Sequence, residues 1–148
     1  MHVSRTRDKK AILKIINHNK VRKWVVDDLS PDNYTPFMHE SVIVLMDDEK
    51  LGMIRIEPMN GICCQVHIAT KPKMWGHAVE FGQLAKEWLF KHTRYQKVVA
   101  MVPAYNRLAI RVCRKIGFKQ EGVIERSFLR NWELHDWIVF GLNKNEVK

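Results

Sequence analysis

The sequence predicts an α/β protein built on one mixed sheet of about seven strands, with helices on both faces. Two observations predict this class. Apolar or β-branched runs of strand length recur along the chain, and amphipathic stretches with helical spacing separate them, with short polar turns between neighbouring elements. The resulting order, βααβββαβαββ, is typical of a mixed sheet. Since no repeat or linker interrupts this order, we expect residues 1–148 to form a single domain.

The first half of the chain supplies three strands and two helices. Thr6 or Asp8 is placed to cap the first helix, whose apolar stripe begins at Ala11, and a second helical piece holds Val21 and Trp24. Residues 30–33 have turn composition, and we expect a loop as far as residue 36. The strands predicted in this half are residues 1–5, 41–46 and 51–57.

The chain after residue 60 supplies the remaining four strands and two helices. Phe81 and Trp88 fall on one face of a helix over residues 79–92, and Asn106 and Gly117 are suited to begin and end the next helix. The strands predicted in this half are residues 62–69, 97–102, 122–129 and 136–142. The last two flank a turn at residues 131–134, so we expect a closing hairpin.

Composition narrows the range of partners and locations. The net charge of +9 is spread over separate clusters, which favours a solvated surface, and nucleic-acid binding is not predicted. No apolar run approaches the roughly 20 residues of a membrane span, and the N-terminal residues have no apolar signal region, so we expect a cytoplasmic protein without a membrane segment. Cys63 and Cys64 are neighbours on a predicted strand and point to opposite faces, which is typical of reduced packing cysteines and unsuited to a metal site.

The junction at residues 70–78 is the strongest candidate for a binding site. A buried strand, a short loop containing Gly76 and an amphipathic helix together direct backbone N–H groups and a positive helix end at one point. An anion, most naturally a phosphate, suits that point. The alternative is a tight strand-to-helix turn that binds nothing.

Two segments resemble a known family. Residues 73–78, Lys-Met-Trp-Gly-His-Ala, resemble the signature Q/R-x-x-G-x-G/A of the GNAT acyltransferase superfamily, and residues 106–118 resemble its N-x-x-A-x-x-x-x-x-K-x-G-F helix. Residues 120–123 and Asp136 are similar to its branch that acetylates N-terminal amines and ribosomal proteins. Residues 88–90 and 102–106 are similar to small phage-encoded GNAT-type proteins.

The resemblance implies a sheet splayed between its fourth and fifth strands, with acyl-CoA in the opening. Gly76 and Ala78 lack bulk, so the N–H groups of residues 74–79 would approach a pyrophosphate closely, and Lys73 would replace the family's Gln or Arg. Asn106 would bind the pantetheine arm as well as cap its helix. The implied cofactor-binding residues are Ile68, Ala69, Thr70, Lys73, Met74, Trp75, Gly76, His77, Ala78 and Asn106.

The implied reaction is transfer of an acetyl group from acetyl-CoA to a primary amine of a small molecule or a protein. A backbone N–H near Ile68 or Ala69 would stabilise the developing oxyanion. His67 is the first candidate for the base, with a hydrogen-bonded strand histidine as the alternative. Glu57 is the second candidate, acting through water, with an exposed strand-end carboxylate as the alternative.

Cys113 occupies the position at which many GNAT enzymes carry the tyrosine that protonates the leaving thiolate. Either the thiolate leaves unaided, or the protein is a non-catalytic GNAT-fold binding or virion-associated interaction protein. An acyl-carrying role for Cys113, and a substitute role for Tyr105, are further alternatives. In this fold the loop at residues 33–39 and the hairpin around Trp132 would line the acceptor side, and the chain would act as a monomer or homodimer.

Overall fold

A computed structural model of the protein describes residues 1–30 and 39–146, and these residues form one seven-stranded sheet. The strands are β1 (Val3–Thr6), β2 (Ile43–Asp47), β3 (Gly52–Pro58), β4 (Cys63–Thr70), β5 (Lys97–Pro103), β6 (Lys119–Arg130) and β7 (Glu133–Asn143). The α-helices are α1 (Lys9–Ile16), α2 (Arg22–Val25), α3 (Ala78–His92) and α4 (Arg107–Ile116), with short 3-10 turns at Pro72–His77 and Lys144–Glu146.

The spatial order of the strands is β1-β2-β3-β4-β5-β7-β6. The pairing is antiparallel throughout except between β4 and β5, which run parallel with α3 as their connection. The predicted α/β class, the mixed sheet and the order of elements are therefore confirmed. The described segments include no helix long and apolar enough to cross a membrane.

Helices cover both faces of the sheet, as predicted. On one face α1 packs Ile12 and Ile15 against Met46 of β2 and Met53 of β3. On the other face the core includes Phe81 of α3, together with residues of α4 and the apolar side chains of six strands. Because side chains alternate along a strand, β2, β3 and β4 each contribute to both cores.

The predicted helix ends are confirmed at three positions. The carboxylate of Asp8 accepts the N–H of Ala11 at 3.1 Å, and the side-chain oxygen of Asn106 accepts the N–H of Ala109 at 3.2 Å. Gly117 ends α4 with a φ of 117°, a conformation that other residues adopt only with strain. The turn and loop predicted for residues 30–36 lie outside the described residues, apart from Ser30.

The feature that positions the site is the parting of β4 and β5. Their register runs from Cys63 opposite Lys97 only as far as Val66 opposite Ala100. β4 continues to Thr70 and β5 to Pro103. The two strands therefore diverge over their carboxyl-terminal halves, and the predicted splay lies here.

Candidate active site

A cavity of about 430 Å³ occupies the gap between the diverging strands. Its walls come from the end of β4, the end of β5, the first turns of α4, helix α2 and the β6–β7 hairpin. Parts of the chain that are far apart in sequence therefore converge on one opening. A cavity at the carboxyl ends of parallel strands is a common place for a ligand in α/β proteins.

Six of the ten residues predicted to bind cofactor line this cavity. They are Ile68, Ala69, Thr70, Trp75, Ala78 and Asn106. Three others, Lys73, Gly76 and His77, are exposed on the turn beside it, and Met74 has its side chain in the core at 2% exposure. The structure thus places nine of the ten in or beside one opening, and Met74 contributes only its backbone there.

The connection between β4 and α3 is a 3-10 turn, not an irregular loop. The N–H of Met74 donates to the carbonyl of Lys71 at 2.9 Å, and the N–H of Ala78 donates to the carbonyl of Trp75. These two N–H groups are therefore already engaged within the turn. A phosphate contact through either of them would require the turn to open.

Gly76 meets the steric condition for close approach of a ligand. A Cβ built on it has no heavy atom within 4 Å, and its φ is not in the left-handed region. The backbone of Gly76 therefore faces open space, and its conformation does not demand glycine. The absence of a side chain leaves that space available to a ligand.

Trp75 lines the cavity and is held in place by a hydrogen bond to the end of β4. Its indole N–H donates to the carbonyl of Thr70 at 3.1 Å, which fixes the ring beside the end of β4. His77 points away, with Nδ1 4.0 Å from the Glu80 carboxylate. Of the two ring-bearing side chains that flank Gly76, Trp75 is therefore the one that shapes the cavity.

The two predicted bases form one cluster with Arg55. Oε2 of Glu57 lies 3.3 Å from Nε2 of His67 and 3.3 Å from Nη1 of Arg55. The register explains this, because His67 of β4 stands opposite Arg55 of β3, and Glu57 is two residues further along the same face. His67 lines the cavity, whereas Glu57 and Arg55 lie behind it.

This environment lowers the pKa of His67. Burial is the main cause, because it penalises the charged imidazolium, and the Arg55 guanidinium adds to the effect. The Glu57 carboxylate opposes both by favouring the charged ring. The net effect keeps the imidazole neutral near pH 7, and a neutral ring that donates from Nε2 to Glu57 has its lone pair on Nδ1.

Cys113 also lines the cavity, on α4, and burial raises the pKa of its thiol to about 12. The group is therefore a protonated thiol at neutral pH, not a thiolate nucleophile. Tyr105 lines the cavity as well, and its hydroxyl donates to the carbonyl of Lys23 at 3.3 Å. Tyr105 thereby links α2 to the segment preceding α4.

Some residues of the site were not singled out from the sequence. Arg55 is one of them, and its signal was an arginine set among the apolar residues of β3, two positions before Glu57. Three aromatic residues that line the cavity were not singled out either, namely Trp24, Phe128 and Trp137. Nothing in their local sequence distinguishes them from aromatic residues of a core. The predicted contribution of the closing hairpin comes through Phe128 and Trp137, while Trp132 at its tip is 75% exposed. Most of the loop predicted to line the acceptor side, residues 33–38, lies outside the described residues.

Comparison with known proteins agrees with this geometry. Residues 2–119 match the family described as acetyltransferase (GNAT) domain. The chain is 28% identical over 134 residues to the SPbeta prophage-derived uncharacterized N-acetyltransferase YokL of Bacillus subtilis (strain 168). That alignment covers 88% of this chain and 73% of the relative.

Solved structures share the fold at low sequence identity. The spermidine N-acetyltransferase from Vibrio cholerae, in complex with CoA and spermine, superposes with a TM-score of 0.79 at 16% identity, covering 97% of this chain and 95% of that one. The ribosomal-protein-S5-alanine acetyltransferase from Vibrio fischeri gives a TM-score of 0.74 at 16% identity, covering 99% and 94%. The family match over residues 2–119 shows that the chain belongs to the GNAT acetyltransferase family, and it is an N-acetyltransferase by that relationship.

Proposed function

We propose that this protein transfers the acetyl group of acetyl-CoA to a primary amine of a small molecule or protein, and that residues 1–148 act as one acyl-CoA-binding unit. The observation that carries the proposal is the pairing of His67 with Glu57 at the wall of the cavity between β4 and β5. A neutral imidazole held by a carboxylate is a suitable general base, and it stands where two reactants can meet.

We assign acyl-CoA binding to the end of β4, the 3-10 turn and the start of α4. The register with β5 stops at Val66, so the backbone of Ile68 or Ala69 can donate an N–H to the thioester carbonyl oxygen as it gains negative charge. The open space at Gly76 would receive the pyrophosphate, with Lys73 supplying charge. The side-chain oxygen of Asn106 caps α4, which leaves its amide NH₂ to donate to the pantetheine arm.

We assign proton removal to His67. The amine nitrogen attacks the carbonyl carbon, the new C–N bond forms, and the amine proton passes to Nδ1 of the ring. Glu57 fixes the ring through Nε2 and stabilises the imidazolium that results. Glu57 is thus a positioning residue, and the proposal gives the predicted pair two distinct roles.

The leaving thiolate departs without a strong acid in this proposal. An ordinary thiol has a pKa of about 8.5, so transfer of a proton from Cys113, with a pKa of about 12, would be uphill. The thiolate therefore leaves unprotonated, or it takes its proton from the imidazolium of His67, which is a stronger acid than an ordinary thiol. A cytoplasmic location and a monomeric or homodimeric state remain predictions. The free cysteines at positions 63, 64 and 113 are consistent with a cytoplasmic location.

The first experiment tests CoA binding by isothermal titration calorimetry with CoA and acetyl-CoA. We expect saturable binding that Gly76→Trp weakens by more than about tenfold. The matched control is Gly61→Trp, because Gly61 is also an exposed glycine with no atom near its Cβ position, in the turn before β4. Both variants should melt at the wild-type temperature. No saturable binding at millimolar cofactor would contradict the proposal, and equal affinity in Gly76→Trp would move the phosphate site elsewhere.

The second experiment tests turnover by thiol release from acetyl-CoA in the presence of primary amines. We expect release that depends on both the amine and His67. Binding without release for any amine or peptide N-terminus would instead support a non-catalytic binding protein, for which the cysteine at the tyrosine position provides the reason.

A further inference from the structure

An aromatic cluster forms the wall of the cavity opposite β4. Trp24 of α2 lies 5.6 Å from Tyr105 between ring centroids, Tyr105 lies 6.0 Å from Phe128, and Phe128 lies 5.7 Å from Trp137. All four rings line the same cavity as His67. The separations and tilted geometries are those that aromatic rings favour, so the cluster is a packed surface.

The cluster and the base lie on the same side of the sheet. On β7, Phe140 and Leu142 belong to the core beneath α3 and α4, so Trp137 points to the α2 face by alternation. On β4, Val66 belongs to that same core, so His67 also points to the α2 face. The rings therefore border the space from which an amine can reach His67, not the space beneath α4.

Two described carboxylates near this space, those of Asp28 and Glu57, are already engaged. Oδ2 of Asp28 accepts the N–H of Trp132 at 2.9 Å, and its Oδ1 lies 3.8 Å from Arg130. Glu57 is held by Arg55 and His67. Among the described residues that line the cavity, no side chain is an aspartate or a glutamate.

We propose that the acceptor is a primary amine carried on an aromatic group, not a polyamine, and that Trp24, Tyr105, Phe128 and Trp137 select it. This inference rests on the proposed function. A flat apolar body gains contact with the four rings, and it places its amine toward His67. A polyamine would bring further positive charges into a wall whose described part offers no carboxylate to pair with them.

The test uses binding, so that it does not depend on turnover. 2-Phenylethylamine and spermidine are each titrated calorimetrically into the protein with CoA present, and into the protein alone. We expect 2-phenylethylamine to bind at least about tenfold more tightly than spermidine. We expect Trp137→Leu to weaken 2-phenylethylamine binding by about tenfold, because it removes one ring of the wall.

Two controls make the result specific. Trp132→Leu removes another tryptophan of the same hairpin, but one that is 75% exposed, and it should leave the affinity unchanged. Trp24→Leu tests the wall from α2, independently of the folding of the hairpin, and should also weaken binding. All three variants should keep the affinity for CoA.

Spermidine binding as tight as that of 2-phenylethylamine, or equal losses in Trp137→Leu and Trp132→Leu, would overturn the inference. Either result would leave the proposed function intact if CoA binds and some amine is acetylated. Conversely, selective binding of 2-phenylethylamine without thiol release would support the aromatic site and contradict the proposed catalysis.

Discussion

Nε2 of His67 lies 3.3 Å from Oε2 of Glu57, and the two residues stand diagonally on neighbouring antiparallel strands. The contact joins the two candidate bases in one unit, and the two differ in their access to the cavity. His67 borders the cavity, and Glu57 stands behind it in contact with Arg55.

Replacing His67 should separate chemistry from cofactor binding. We expect His67→Ala to lower kcat by about 10²–10⁴-fold, the usual worth of a general base, with no change in CoA affinity. Steady-state kinetics and calorimetry measure the two quantities. His92→Ala, at the exposed end of α3, is the matched control. An unchanged kcat in His67→Ala would remove the imidazole from the mechanism.

The acidic limb of the pH–rate profile should shift when the charged neighbours of His67 are replaced. The base works only when neutral, and its pKa is lowered below the ordinary 6.5, so kcat should hold near pH 7 and fall at more acidic pH. Arg55→Met removes a positive charge that lowers this pKa, so the limb should move to higher pH. Glu57→Gln removes a negative charge that raises it, so the limb should move to lower pH. Shifts in the same direction would contradict the assignment.

Cys113 should carry no acyl group. Its thiol is buried and protonated at neutral pH, so incubation with acetyl-CoA should leave the intact mass of the protein unchanged. Cys113→Ala should retain kcat. An acetyl adduct that disappears in Cys113→Ala would establish a covalent intermediate and overturn the direct-transfer proposal.

Replacement by alanine should lower the stability of the protein at Gly117 but not at Gly76. Gly117→Ala places a Cβ on a backbone with a φ of 117°, and we expect it to destabilise the protein by about 1–2 kcal/mol. Gly76→Ala adds a Cβ in open space on ordinary backbone, so the unfolding free energy should not fall. Urea denaturation of both variants measures the difference. If Gly76→Ala were as destabilising as Gly117→Ala, the glycine would have a structural role that the geometry does not show.

The sequence predicted most of the scaffold, because its signals are local. Helix boundaries depend on side chains that act within a few residues of their own position. Asp8 and Asn106 begin helices as expected, and Gly117 ends one. The strands predicted around His67 and Glu57 are also confirmed, and they bring the two side chains to one face of the sheet. Element ends shifted by up to three residues, as with β6, which begins at Lys119 where the sequence predicted residue 122.

The features that the sequence did not predict depend on contacts between distant segments. Arg55 acquires its role from the register of β3 against β4, which no local pattern encodes. The aromatic wall requires α2, the β5–α4 connection and the β6–β7 hairpin to converge, so Trp24 and Trp137 are indistinguishable from core residues until the fold is known. The engaged N–H groups of Met74 and Ala78 likewise follow from a turn type that the motif alone does not specify.

The attachment of the α2 region to the hairpin has a consequence for how such a protein can diversify. The N–H of Asp28 donates to the carbonyl of Leu129, and its carboxylate accepts from Trp132, so early and late parts of the chain close one wall together. The middle of the chain supplies the strand, turn and helix of the opposite wall. In the proposed arrangement, substitutions in the α2 region or in the hairpin would change the accepted amine while the segment proposed to bind the donor stays constant, so that selection could act on the two halves of the reaction separately.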